Sequence, residues 1–253
     1  MNKEKNSSTI KASAARGTHE KILQMVRDFS KPKETLRILD FPCGKGALTQ
    51  VLLQDGYQVV SADKFIEIFA LDVDIVSADL NAAMPWQNET FDVVISADGL
   101  CEVDGLSSTL REFKRILKPG GIAIFSLPNP LNIRSRLRFL LTGFFNKYTM
   151  AFDEVHGQST TRIIFTWELR YHLVRNGLDI TSYRATSFKP MDVLLAPLWL
   201  ATVFSTFLYG FTKYQKLQPA MQRRIFSILK MKASPAIGLG ENLIVQCSRV
   251  PSS

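Results

Sequence analysis

The chain has 253 residues, 46% of them hydrophobic, which is enough to bury a sizeable core and excludes a wholly disordered polypeptide. Lys and Arg number 31 against 23 Asp and Glu, a net charge of +8 that points to an acidic partner such as nucleic acid or an anionic membrane surface. The charge is unevenly placed: residues 1–33 carry eight basic and three acidic groups, residues 34–127 seven and fourteen, and the remainder sixteen and six.

Residues 1–14 form a polar stretch without a face to bury, and a mobile tail is expected there, followed by a single domain over 15–253. Ile22, Leu23, Val26 and Phe29 recur at helical spacing, and Ser30, Lys31 and Pro32 stop that helix. Leu36 to Phe41 reads as a buried strand, and Leu48, Val51 and Leu52 as the next helix, closed by Gly56. Strands are expected at 57–62, 75–78, 91–97 and 121–127, and Leu106, Leu110, Phe113 and Leu117 mark one face of a helix ending in KPGG. Continuous apolar strands alternating with helices predict an α/β fold with a doubly wound parallel sheet. After Leu127 comes an insertion of about 128–165. A helix from Trp167 to Arg175 with Thr166 as its cap and a strand over 178–186 follow, then a second insertion of about 188–240 and a last strand with the pattern NLIVQC.

The first strand runs into DFPCGKG, residues 40–46, with a helix directly behind it. Glycines at a strand-to-helix turn let a ligand approach the backbone beside a helix N-terminus. Thr49 stands where a dinucleotide fingerprint has its third glycine, and Gly44-Lys45 lacks the spacing of a P-loop. Asp63 ends the second strand, 17 residues after Gly46, where a carboxylate can accept from both hydroxyls of a ribose. Asp79 and Leu80 end the third, an acceptor for an adenine amino group beside an apolar contact for its ring. A carboxylate at a strand tip is otherwise a turn or cap residue, but these stand at consecutive strand ends.

Together, DFPCGKG, Asp63, Asp79-Leu80, FDVVISADG and RILKPGG resemble the class I S-adenosylmethionine-dependent methyltransferases of the small-molecule type, over about residues 16–186. The resemblance implies a Rossmann-like seven-stranded sheet of order 3-2-1-4-5-7-6 with the last strand antiparallel. It implies S-adenosyl-L-methionine as cofactor, with Asp40, Pro42, Gly44 and Gly46 at the methionine part, Asp63 and Lys64 at the ribose, Asp79 and Leu80 at the adenine, and Ser96 and Ala97, with Asp98, at the rim near the methyl group. Pro42 replaces a frequent glycine and removes a backbone donor. Residues 64–74 are too few for a full third helix, which predicts a thin cofactor wall.

For a hydroxyl acceptor a base assists methyl transfer, and His156, in the first insertion, is the candidate, with Asp153, Glu154 and Glu102 behind it. A structural histidine is the competing role. His19 and Arg16, at the start of the first helix, read as caps. Cys43, Cys101 and Cys247 form no CxxC pair, so neither a disulfide framework nor a metal site is expected; with no apolar run of signal-peptide length at the N-terminus, a reducing, cytoplasmic location is expected.

Residues 193–211 form a run of 19 without a charge, followed by six basic and no acidic residues from Lys213 to Lys232. Length alone allows a membrane span, but the last strand must return to the same sheet, so a buried or interfacial element is expected. With Arg134, Arg136, Arg138 and Lys147 this gives a basic, apolar region suited either to an anionic membrane surface, placing the protein peripherally on its inner face, or to a hydrophobic lid over an acceptor pocket. Ser96 to Gly99 does not provide the proline-aromatic clamp expected of amino methylation on nucleic acid, and LPNP, residues 127–130, follows the wrong strand. The expected activity is therefore methyl transfer to a small-molecule or lipid-linked acceptor, at oxygen. A non-catalytic nucleoside-binding scaffold is the alternative and a nucleic-acid methyltransferase a lesser one.

Overall fold

The structure, a computed structural model, describes residues 10, 14–30, 35–148, 162–214 and 218–250. The tail expected over 1–14 lies largely outside them. Seven strands form one sheet: β1 (Arg37–Asp40), β2 (Gln58–Asp63), β3 (Ile75–Ser77), β4 (Phe91–Ala97), β5 (Leu117–Pro128), β6 (Leu178–Ala185) and β7 (Asn242–Arg249). Their order is β3-β2-β1-β4-β5-β7-β6, as expected. The first five are parallel and β7 runs antiparallel to both β5 and β6.

Alternation along the central strands builds two cores. Ile38, Val93, Ile95, Ile122, Ile124 and Ile244 point to the face covered by α1 (Thr18–Phe29) and α2 (Ala47–Gln54). Leu39, Val94, Ala123, Phe125, Leu243 and Val245 point to the other, beneath α3 (Leu106–Ile116) and α5 (Thr166–Arg175). On that second face Phe113 packs on Phe41 and Phe125 at centroid distances of 6.5 and 5.5 Å, so the aromatic cluster braces the strand that carries the glycine turn.

Two local expectations need correction. KPGG does not end α3 but forms a bulged start to β5, because Leu117 already pairs with Phe91 before the regular register resumes at Val93 and Ile122. Thr166 is the first helical residue of α5 and not its cap; Phe165 holds the cap position, and the Thr166 hydroxyl is buried without a partner. The apolar run 193–211, expected to be buried or interfacial, has most of its residues exposed or half-buried.

The insertions are helical: α4 (Ile133–Thr142) lies in the first, and α6 (Pro190–Leu194), α7 (Ala196–Tyr214), α8 (Pro219–Lys232) and α9 (Pro235–Gly238) in the second. LPNPLN, after β5, ties the two together. Asn129 Nδ2 donates to the carbonyls of Ile237 at 2.7 Å and Gly240 at 2.9 Å. Asn132 caps α4 with its oxygen and donates through Nδ2 to Leu239 O at 2.7 Å. Fully buried Asp192 accepts from Arg134 Nε at 2.8 Å and from the Lys189 backbone at 2.9 Å. A buried charge requires such partners.

Candidate functional site

A parallel sheet opens a crevice at the carboxyl ends of its strands, and here the turn after β1 lines it. Gly44 and Gly46 take left-handed backbone conformations at φ 53° and 85°, which explains why glycine stands at both, and Gly46 is the N-cap of α2. The Phe41–Pro42 peptide is cis. Cys43 N–H donates to Ala62 O at 2.9 Å, and Gly44 N–H to Asp63 Oδ2 at 2.8 Å. Asp63 Oδ1 accepts from Phe65 N–H at 2.9 Å, so this carboxylate holds the turn in shape while keeping lone pairs for a ligand's hydroxyls.

The short β2–β3 connection makes only a single helical turn, Ile66–Ile68, before folding back. Ala70 N–H donates to Lys45 O at 3.2 Å, and a Cβ built on Gly46 would lie 2.7 Å from Phe69 Cε2. Phe69 and Leu71 thus supply an apolar wall where a third helix is missing. A Cβ on Gly44, by contrast, meets nothing within 4 Å, leaving that backbone open to a ligand.

The crevice is electrostatically negative. Burial pushes Asp40 up to about 7, against the hydrogen bond from Thr49 Oγ1 at 2.7 Å and with a further upward push from Asp63. Burial also raises Asp98, tempered by Ser126, Lys147 and His19. Glu102, although it meets solvent, is raised by partial desolvation and by Asp63 and Asp98. Among the described residues no Lys or Arg forms an ion pair with Asp40, Asp63 or Glu102, and Asp40 Oδ1 is buried without a hydrogen-bond partner. Such a site favours a cation carrying hydroxyl and amine donors. The sulfonium, ammonium and ribose of S-adenosylmethionine meet that requirement, so the residues present fit the cofactor.

The remaining expected residues take varied positions. Lys64 Nζ pairs with Asp79 Oδ2 at 2.9 Å, bridging the tips of β2 and β3, while Asp79 Oδ1 accepts from Asn81 N–H at 2.9 Å. Leu80 belongs to the core and keeps only 9% of its surface exposed. Ser96 is fully buried beneath Gly99, where any side chain would collide with Pro42 and the Ser96 hydroxyl; Ala97 is half-buried beside it. His156, Asp153 and Glu154 lie outside the described residues.

A polar cluster across β4, β5 and β7 was not singled out as a unit by the sequence. Ser126 Oγ donates to Asp98 Oδ1 at 2.7 Å, Lys147 Nζ donates to Asn242 Oδ1 at 2.6 Å, and the Asn242 amide reaches Asp98 at 3.4 Å. His19 is not the cap of α1, which is Gly17; it is half-buried, its pKa lowered by burial and raised by Glu20 and Asp98, so a largely neutral imidazole stands near this cluster. The Asp98-Gly99 pair after a strand was the only local signal; the rest depends on which strands become neighbours. Cys43, Cys101 and Cys247 are free and buried, and burial raises each thiol. Among the described residues no group of three or more His, Cys, Asp and Glu is placed to hold a metal ion.

Comparison with known proteins agrees with this geometry. Residues 39–125 match the family described as "Methyltransferase domain". A relative named "Ubiquinone biosynthesis O-methyltransferase" from Rhizobium johnstonii is 27% identical over 172 residues, 64% of this chain and 68% of that protein. A crystal structure of a SAM dependent methyltransferase from Archaeoglobus fulgidus superposes with a TM-score of 0.55 at 14% identity, covering 92% of this chain and 95% of that one. Phosphoethanolamine N-methyltransferase 2 of Haemonchus contortus, in complex with S-adenosyl-L-methionine, superposes at 0.51 with 15% identity, over 92% of this chain and 53% of its own. With the glycine turn, the strand-tip carboxylates and the strand order all in place, the chain has the fold of the class I S-adenosylmethionine-dependent methyltransferases and carries a methyltransferase domain over residues 39–125.

Proposed function

We propose that this methyltransferase acts at an oxygen of a hydrophobic or lipid-linked small molecule, which it meets at an anionic membrane surface. The observation that carries this reading is the outer face of α7. Leu200, Phe204, Leu208 and Phe211 recur at helical spacing there and are 56, 71, 54 and 58% exposed. On the neighbouring α4, Leu140 and Leu141 are exposed as well. An apolar stripe of this kind marks an interaction site, and the exposed charged residues described on α4, α7 and α8, Arg138, Lys213 and Lys230, are all basic. None of the described helices is long and apolar enough to cross a membrane; the placement proposed is interfacial. The relative named for O-methylation in ubiquinone biosynthesis supports an oxygen acceptor.

S-adenosylmethionine, when bound, supplies an electrophilic methyl group. The chain's part is to hold donor and acceptor in line: Asp63 and the Gly44–Gly46 turn orient the donor, and Phe69 and Leu71 keep water from one wall. Such positioning contributes up to about 7–11 kcal/mol. His156 is the proposed base for the acceptor hydroxyl. His19 is the second reading, favoured by its half-buried neutral imidazole near Asp98. In pH–rate profiles of His156→Ala and His19→Ala, the variant that loses the acid limb identifies the base.

The surface is tested by flotation with vesicles containing 30% phosphatidylglycerol and with pure phosphatidylcholine vesicles. The wild type is expected to float with the anionic vesicles, and the double variant Phe204→Glu/Leu208→Glu to remain below. Equal flotation of both proteins would remove the membrane from the proposal. Mass spectrometry of labelled products from lipid extracts identifies the methylated atom.

A further inference from the structure

A second concavity lies apart from the donor crevice. It is a cleft of about 290 Å³ where α4, α5, α7 and α8 converge, and none of its lining residues falls within 39–125. Its walls are apolar, with Phe139 and Phe145 stacked at 4.3 Å, Val203 and Phe207 from α7, and Leu229 from α8. Two cations share this space. Arg136 reaches Thr202 Oγ1 at 3.4 Å, and its Nε is buried without a partner. Lys232 places Nζ 4.6 Å from the centre of the Trp167 ring.

Neither cation forms an ion pair with any described residue. Burial lowers the Arg136 guanidinium, and Lys232 is lowered by burial and by Arg136. Two partly desolvated like charges lining one cleft with aromatic rings are unfavourable for folding. The acidic residue nearest in the chain to Trp167, Glu168, is engaged elsewhere, at 3.3 Å from Arg162. An anion placed between Arg136 and Lys232 would remove the repulsion and satisfy the free Nε–H, and guanidinium geometry suits an oxyanion. The apolar walls in turn would cover a hydrocarbon body, and the volume is at the small end of ligand pockets.

We propose that this cleft binds an anionic amphiphile: a carboxylate or phosphate held between Arg136 and Lys232, with its hydrocarbon part along Phe139, Phe145, Phe207 and Leu229. The cleft shares no lining residue with the donor crevice, and its test does not depend on the acceptor proposed above. Charge complementarity chooses this occupant over a neutral or cationic one, and the apolar lining chooses it over a bare inorganic ion.

The test is calorimetric titration of the full chain with monomeric decyl phosphate, followed in parallel by tryptophan fluorescence, since Trp167 lines the site. One saturable site is expected, weakened at least tenfold in Arg136→Met and in Lys232→Met and largely retained in Arg136→Lys. Decyltrimethylammonium, with the same chain and the opposite charge, is expected not to saturate, and inorganic phosphate to bind at least tenfold more weakly than decyl phosphate. Without ligand, Arg136→Met is expected to melt no lower than wild type, because it removes an unpaired buried charge; a structural arginine would give the opposite shift. Equal decyl phosphate binding by the Met variants, equal binding of the cationic amphiphile, or inorganic phosphate as tight as decyl phosphate would each overturn the proposal, as would a lower melting temperature for ligand-free Arg136→Met.

Discussion

The crevice at the ends of β1 to β4 and the helices of the two insertions use charge in opposite ways. In the crevice, Asp40, Asp63 and Glu102 stand without cationic partners among the described residues, and backbone donors of the glycine turn and the β2–β3 connection hold Asp63 in place. In the insertions, Arg136 and Lys232 stand without carboxylate partners among the described residues, and apolar side chains face outward along α7. Each region carries unneutralised charge opposite to that of the ligand proposed for it. The seam between the insertions is internally neutralised, through Asp192 and Arg134.

The sharpest way to break this comparison is at Asp63. Asp63→Ala removes a charged acceptor for two hydroxyls and loosens the Gly44 turn; with hydrogen bonds to charged groups worth about 1.5–3 kcal/mol each, S-adenosylmethionine affinity in calorimetry is expected to fall at least about a hundredfold. The Phe204→Glu/Leu208→Glu variant should bind the cofactor as wild type does. A threefold change or less for Asp63→Ala would remove the ribose assignment.

The seam is the next largest effect. Asp192→Ala leaves Arg134 without its counter-ion and the Lys189 backbone without its acceptor, and it should destabilise the protein by about 2–3 kcal/mol. That corresponds to roughly 4–12 °C in melting temperature for a chain of this size. Faster proteolysis within 190–240 than within 39–125 should accompany it, and uniform protection across the chain would show that the seam is not what joins the insertions.

The smallest expected effect is on pH dependence, and it tests the crevice alone. Asp40 is raised to about 7 from the ordinary carboxylate range. Its contribution to stability is therefore fully present below that ordinary range and is lost as pH rises through about 7. The ligand-free protein should melt lower at pH 8 than at pH 5 on this account, and Asp40→Asn should reduce the difference. A bound cation favours the ionised carboxylate, so S-adenosylmethionine affinity should rise as pH passes through 7, by about 1.4 kcal/mol for each unit by which the ligand lowers Asp40. Calorimetry in buffers of different ionisation enthalpy should show proton release on binding; an affinity independent of pH between 6 and 8 would separate Asp40 from the ligand.

Much of the site was legible because its information is local. Asp63 at the end of an apolar run, and glycines between a strand and a helix, report their conformations through their immediate neighbours. The KPGG segment misled for a related reason: a Pro-Gly-Gly run signals a turn in isolation, but Phe91 offers Leu117 a pairing partner that local sequence does not reveal. Thr166 misled similarly, since a good capping residue stood one position from where α5 begins.

By itself the sequence determined the alternation of strands and helices, the order of the sheet through the motifs that carry its resemblance, and the acidic character of the donor crevice. Those features follow from periodicities and turns spanning a few residues each. Only the tertiary structure decided that Ser126 and Asn242 meet Asp98, that LPNPLN clasps the second insertion, and that Arg136 and Lys232 line one apolar cleft. The last pair is 96 positions apart in the chain. Their meeting depends on how α4, α7 and α8 pack, a relation that helical spacing within any one of them does not contain. The charge of +8 was visible at the outset; that part of it is held unpaired beside a cavity became visible only once the helices were assembled.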